Sequence, residues 1–127
     1  MYDMCFACGK DNPISLGLKF KEIAENKVRA EFVPGTNHQG YKGIMHGGLV
    51  TTLLDEAMVT AIIKQGIEAV TAAMNVRFKR AAVLGEKLNI TGYITGHKGR
   101  LITTTAYIEN MEGKVVARAE GKFMRNN

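Results

Sequence analysis

The chain predicts an α+β fold, a curved antiparallel sheet of about six strands wrapped around one long central helix. Three observations lead there. Residues 47–65 read as a single helix with almost no polar face, and a helix hydrophobic all round has to be buried. Around it lie runs in which apolar and polar residues alternate with period two, the mark of half-buried strands. These runs follow one another directly, two before the helix and four after it, so a doubly wound parallel sheet is excluded. With 127 residues, 46% hydrophobic and 23% charged, the chain suits one domain, 1–127, with a core that stands without staples.

At the N-terminus, Cys5-Phe6-Ala7-Cys8-Gly9 precedes the turn dipeptide Asn12-Pro13. A CxxC pair is half of a zinc site, a redox dithiol, or simply two small half-buried side chains in a turn. No second CxxC follows, and a redox pair of thioredoxin type would sit between a strand and a helix. Zinc would need a histidine or a partner chain to complete it. The plain structural reading is preferred, and no metal or resident cofactor is expected.

Residues 15–23 alternate, with Leu16, Leu18 and Phe20 on one face, and residues 27–33 do so again with Val28, Ala30 and Phe32. Glu25-Asn26 is the turn between them, and Pro34-Gly35 ends the second run, so the two form a hairpin. The loop 35–45 carries Gly35, Gly40 and Gly43 among Asn37, His38 and Gln39. Its polar side chains either reach a ligand near the helix or serve only the loop's own turns.

The helix opens at Gly47 and Gly48, after His46, and runs to Gln65, where Gly66 supplies a stop. Glycines at a helix start leave unpaired N–H groups that favour developing negative charge. Two acids, Asp55 and Glu56, sit near the middle of this apolar segment. A carboxylate is costly to bury unless it is paired or its pKa shifts, and an apolar setting raises that pKa and improves the group as a base.

Four more strand-like runs follow. Residues 71–79 place Ala72, Met74, Val76 and Phe78 on one face, and Thr71, Ala73, Asn75, Arg77 and Lys79 on the other. Residues 87–96, 100–110 and 114–125 complete the set, with turns at His97-Lys98-Gly99 and Met111-Glu112-Gly113.

The formal charge of +5 and pI near 9.3 suit an anionic partner without choosing one. The basic residues are scattered apart from Arg77, Lys79 and Arg80, and no nucleic-acid-binding signature appears, so no nucleic-acid partner is expected. The helix meets Asp55-Glu56 and then Lys64 too soon to cross a bilayer, so no membrane partner is expected either. Without a signal-like N-terminus, the expected location is cytoplasmic.

Three stretches are similar to the hotdog-fold acyl-CoA thioesterases, in the group of phenylacetic-acid-pathway (PaaI-type) and 4-hydroxybenzoyl-CoA thioesterases. They are Gly43-Ile-Met-His46-Gly47-Gly48 through Asp55-Glu56-Ala57-Met58, Thr71 through Asn75 to Lys79-Arg80, and Cys5-Phe-Ala-Cys8-Gly9 through Asn12-Pro13 to Gly17-Leu18. The resemblance implies an acyl-CoA substrate, with coenzyme A arriving as part of it, and self-association as a homodimer or a dimer of dimers. It puts Asp55 in the role of general base or nucleophile, the Gly47 N–H on the thioester oxygen, and Thr71 beside the attacking water. His38, Gln39, His46, Gly48 and Asn75 become candidates for contact with substrate, and Arg77, Lys79, Arg80, Lys98 and Arg100 for the CoA phosphates, each with the plainer reading of a solvated surface charge. His46 also has a plainer job in holding the loop against the helix start.

The chemistry agrees with those roles, since thioester hydrolysis needs a base and donors aimed at the oxyanion. Spacing adds a constraint. Gly47 and Asp55 stand about 12 Å apart along one helix axis, while each must come within about 3 Å of the same carbonyl. A working site therefore draws Gly47 from one chain and Asp55 from another. Asp55 has a bland alternative, pairing with a base such as Arg77 or capping backbone, and Glu56, some 100° further around the helix, reads as structural or interfacial. The second function class is a non-catalytic acyl-CoA binding or sensing module, although no added DNA-binding element is visible. A hotdog hydratase would need an Asp–His pair on one carbon, for which His46 is not clearly placed.

Overall fold

The computed structural model describes residues 2–126. Its elements are β1 (Lys21–Ala24), β2 (Lys27–Phe32), a 3-10 turn (Thr36–His38), α1 (Gly47–Ile63), β3 (Ala69–Phe78), β4 (Leu88–Lys98), β5 (Leu101–Glu109) and β6 (Val115–Arg125). The strands form one antiparallel sheet in the order β1-β2-β4-β5-β6-β3. This is the α+β architecture the patterning implies. The chain leaves the sheet after β2, crosses its face as α1 and returns at the far edge as β3. Seventeen residues give the helix a length of about 25 Å, close to the roughly 24 Å across six strands.

Alternation decides which side chains meet α1. Val28, Ala30 and Phe32 of β2 are buried, as are Leu88 and Ile90 of β4, Ile102, Ala106 and Ile108 of β5, and Ala117, Ala119 and Phe123 of β6. They close on Leu53, Leu54, Ala57, Met58 and Ile62 of the helix. The tightest approach is at Gly92 of β4. A Cβ there would lie 2.5 Å from the carbonyl carbon and oxygen of Ala57, well inside contact distance. Only a residue without a side chain lets helix and strand come this close.

Three expectations need correction. Residues 15–20 are not strand: Leu16 and Leu18 are buried, but their N–H groups bond to Phe6 O and Ala7 O of the N-terminal loop, and sheet pairing begins at Lys21. The helix ends at Ile63 rather than Gln65, with Lys64 as its cap. It is also not buried all round. Gly48, Thr52, Asp55 and Val59, spaced as one helical stripe, stay partly or fully exposed in the single chain.

The edge strand β3 departs from strict alternation for a reason that sequence patterning does not carry. A bulge lies between Thr71 and Ala73. Thr71 pairs with core-facing Phe123, whereas Ala73 pairs with outward Lys122. The extra residue turns Thr71 onto the helix side of the sheet, away from the face it would share with Ala73, Asn75 and Arg77.

The Gly92 contact gives a direct test. Replacing Gly92 with alanine should lower stability by about 1–3 kcal/mol, the usual cost of overpacking, read as a shift in the urea midpoint. An unchanged midpoint would mean that helix and sheet have slack the geometry does not show.

Candidate active site

The loop before α1 is held by its own side chains. The His38 Nδ1 accepts the Gly35 N–H at 2.8 Å, and the ring packs edge-on against Phe32 with centroids 5.2 Å apart. The Gln39 amide donates to Thr36 O at 3.0 Å and accepts the Gly43 N–H at 2.7 Å. The His46 N–H bonds to His38 O at 2.8 Å, which ties the two ends of the loop. His38 and Gln39 thus brace the approach to the helix.

His46 then caps α1. Its Nδ1 accepts the Gly48 N–H at 2.9 Å, while its carbonyl accepts from Leu49 and Val50 at 3.0 Å. The two helix-opening glycines therefore differ. Gly48 has its N–H committed to the cap, and the Gly47 N–H has no protein acceptor among the described residues. An orphan N–H at a helix start is a donor for a ligand oxygen. The edge of the exposed Phe78 ring lies beside Gly47, within 3.8 Å of where a Cβ would stand.

Two turns further along, half-buried Asp55 accepts a hydrogen bond from Thr71 Oγ1 on Oδ1 at 2.8 Å. The β3 bulge makes that contact possible, since without it Thr71 would point off the outer face. None of the ion pairs among the described residues involves Asp55, so the pairing with Arg77 is not formed.

Its neighbour Glu56 lies in different surroundings. Only 7% of Glu56 is exposed, and burial pushes its carboxyl above the usual carboxylate value, opposed by hydrogen bonding to the Cys8 thiol. Burial also lifts Cys8 well above the usual thiol range. The apolar enclosure foreseen for Asp55 is found one residue on.

The basic candidates separate. Arg77 stands opposite Arg118 in the β3–β6 register, and the two share with Asn75, Ala119 and Glu120 a cleft of about 110 Å³ on the outer face of the sheet. Two like charges side by side repel unless an anion joins them. Arg118 escaped the sequence reading because only the register brings it to Arg77. The Arg80 guanidinium donates to Val115 O at 2.8 Å, which anchors the chain leaving β3, while the Lys79 bond to Val116 O is made by its backbone N–H and does not engage its side chain. Asn75 also borders a larger outer-face groove of about 500 Å³ with Thr95, Thr103, Thr105 and Lys122. No helix among the described residues is long and apolar enough to cross a membrane.

Comparison with known proteins places these features in context. The sequence profile described as the thioesterase superfamily matches residues 42–117, which run from the helix-opening loop into β6. The chain is 32% identical over 101 residues to acyl-coenzyme A thioesterase 13 of Homo sapiens, covering 77% of this chain and 68% of the relative. It superimposes on the Escherichia coli PaaI protein of the phenylacetic acid degradation operon with a TM-score of 0.83 and 25% identity, over 88% of this chain and 81% of that one. The smu.793 protein of Streptococcus mutans, solved bound to acetyl CoA, has the same fold, with a TM-score of 0.81 at 21% identity over 87% and 89% of the two chains. The fold shared with these structures is the hotdog fold.

The enclosed Glu56 makes stability depend on pH with a definite sign. A carboxyl whose folded pKa is raised binds its proton more tightly in the native state, so stability falls as pH rises from the ordinary value of 4.5 through the folded one. In EDTA-treated protein, urea unfolding should show that decline, and Glu56→Gln should flatten it. A slope that survives the substitution would assign it to another group.

Proposed function

The chain belongs to the thioesterase superfamily and is a thioester hydrolase, and from that premise we propose that it cleaves an acyl-CoA to the free acid and CoA at a site shared by two subunits. The observation that carries the assignment is the Asp55–Thr71 hydrogen bond at 2.8 Å, which joins the helix carboxylate to a hydroxyl on the edge strand. It fixes the carboxylate through Oδ1 and leaves Oδ2 without a protein partner among the described residues. Asp55 takes a proton from water, or attacks the carbonyl itself, and Thr71 steadies the carboxylate and the approaching water. The new C–O bond forms and the C–S bond breaks, the CoA thiolate leaves and is protonated, and where Asp55 is the nucleophile water then hydrolyses the acyl–Asp55 anhydride to the free acid and the carboxylate.

The thioester oxygen needs donors placed before the charge develops. The Gly47 N–H has that character because His46 takes up the N–H of Gly48 and not that of Gly47. Gly47 and Asp55 of one chain are about 12 Å apart along α1, so one carbonyl meets Gly47 of one subunit and Asp55 of its partner. The half-open stripe through Thr52, Asp55 and Val59 and the unpaired outer edge of β3 support this reading. Both are surfaces that a second copy would cover. Arg77 and Arg118 are the basic pair offered to the CoA phosphates.

Two experiments test the proposal. Asp55→Asn should keep the fold and the oligomeric state but lose at least about a hundredfold in kcat, the scale of a lost acid–base group, in a free-thiol release assay over a panel of acyl-CoAs. Turnover at the wild-type rate would refute the role of Asp55. A charge on the exposed stripe, Val59→Lys, should yield monomers by sedimentation and abolish hydrolysis. A folded monomer as active per chain as the wild type would remove the shared site while leaving Asp55 in place.

A further inference from the structure

The CxxC motif takes no part in the hydrolytic site, yet the fold gives it a third donor. The thiols of Cys5 and Cys8 and a carboxylate oxygen of Glu56 all lie within 4.8 Å of one another. Glu56 is 7% exposed and its Oε2 has no hydrogen-bond partner, and one helical turn on, Thr60 is 8% exposed with its Oγ1 likewise unpartnered. Both residues line a cavity of about 170 Å³, together with Cys8, Leu18, Phe20, Ile63 and Lys64. Buried polar atoms without partners are rare, and here two of them belong to residues that line one cavity close to two thiols, which leaves them free for a ligand.

We propose that Cys5, Cys8 and Glu56 bind one zinc ion, with a water in the cavity as the fourth ligand, bonded to Thr60 Oγ1. Two sulfurs and one carboxylate suit zinc, whereas magnesium and calcium take oxygen donors throughout. Bond lengths of about 2.3 Å to sulfur and 2.0–2.2 Å to oxygen put tetrahedral donors roughly 3.5–3.8 Å apart, a spacing this cluster reaches with little movement. The cavity exceeds the roughly 30 Å³ of one water. Zinc neutralises most of the charge of two thiolates and a carboxylate, and Lys64, a lining residue of the same cavity, carries the sign opposite to the remainder.

The backbone is built for the cluster. The Gly9 N–H bonds to Cys5 O at 2.7 Å in a turn so close that a Cβ on Gly9 would lie 2.4 Å from Cys5 N. That turn sets both thiols on the side facing α1. The sequence has no second CxxC to complete a zinc site; in the fold the third donor comes from the central helix. The zinc would fasten the N-terminal loop to α1 at the residue next to Asp55, and the site stands or falls independently of the reaction.

The test uses whole protein, reduced and stripped with a chelator, then titrated with Co²⁺ and Zn²⁺. Cobalt should give thiolate charge-transfer absorption and the intense visible bands of a four-coordinate ion, displaced by zinc at about one equivalent per chain. Zinc should also shield both cysteines from a thiol reagent. Cys8→Ser and Glu56→Gln, checked for fold by circular dichroism, should each weaken zinc at least about a hundredfold, beyond the loss seen when only an outer-shell partner is removed. Absence of the thiolate band in the wild type, thiols that react equally with and without zinc, a Cys5–Cys8 disulfide in place of metal uptake, or wild-type affinity in Glu56→Gln would each overturn the proposal. The wild-type readouts decide the matter even if a variant fails to fold.

Discussion

The approach of α1 to the concave face of the sheet governs this molecule. Ala57 rests against Gly92 so closely that a single methyl group would not fit between them. That contact fixes both the depth and the rotation of the helix. Depth buries Leu53, Leu54, Met58 and Ile62 against the sheet, and burial of such side chains is the main favourable term in a domain of this size. Rotation decides where every other helix residue points, because successive positions advance by 100°. The functional features follow from those two settings.

Asp55 and Glu56 show how much rotation decides. They are adjacent acids on one helix, and 100° separates a partly open carboxylate touching the edge strand from an enclosed one facing the N-terminal loop. Asp55 keeps access to solvent and to the Thr71 hydroxyl. Glu56 is driven toward its neutral form by burial and lies among sulfur atoms. Different burial is how one scaffold gives like groups different surroundings. Here the surroundings are the two sides of a single helix.

The start of the helix works by the same economy. His46 spends its Nδ1 on the Gly48 N–H, and the loop behind it is braced by His38 and Gln39. The result is a rigid helix start with one donor left over at Gly47. A donor held in place in this way is preorganised for an acceptor.

Much of this was legible in the chain. Period-two alternation marked β2, β4 and β6, threonine and branched residues marked β5, and the apolar run after His46 marked α1, because burial on one face writes itself into residue order. The motif around His46-Gly47-Gly48 and Asp55 marked the helix start and the helix carboxylate, which the fold shows as a capped N-terminus and as the acceptor of the Thr71 hydroxyl. Spacing along one helix also showed that Gly47 and Asp55 cannot serve one carbonyl from a single chain. What residue order could not carry was anything set by a neighbouring strand or loop. The bulge that turns Thr71 toward Asp55 exists only in the β3–β6 register, and that register alone seats Arg118 beside Arg77. Leu16 and Leu18 alternate like a strand but bury themselves under the N-terminal loop, since burial and not sheet pairing is what the alternation records. The meeting of Cys5 and Cys8 with Glu56 joins segments far apart in the chain. Sequence sets local periodicity and chemistry; only tertiary packing decides which distant groups become neighbours, because those contacts depend on register and helix rotation rather than on order along the chain.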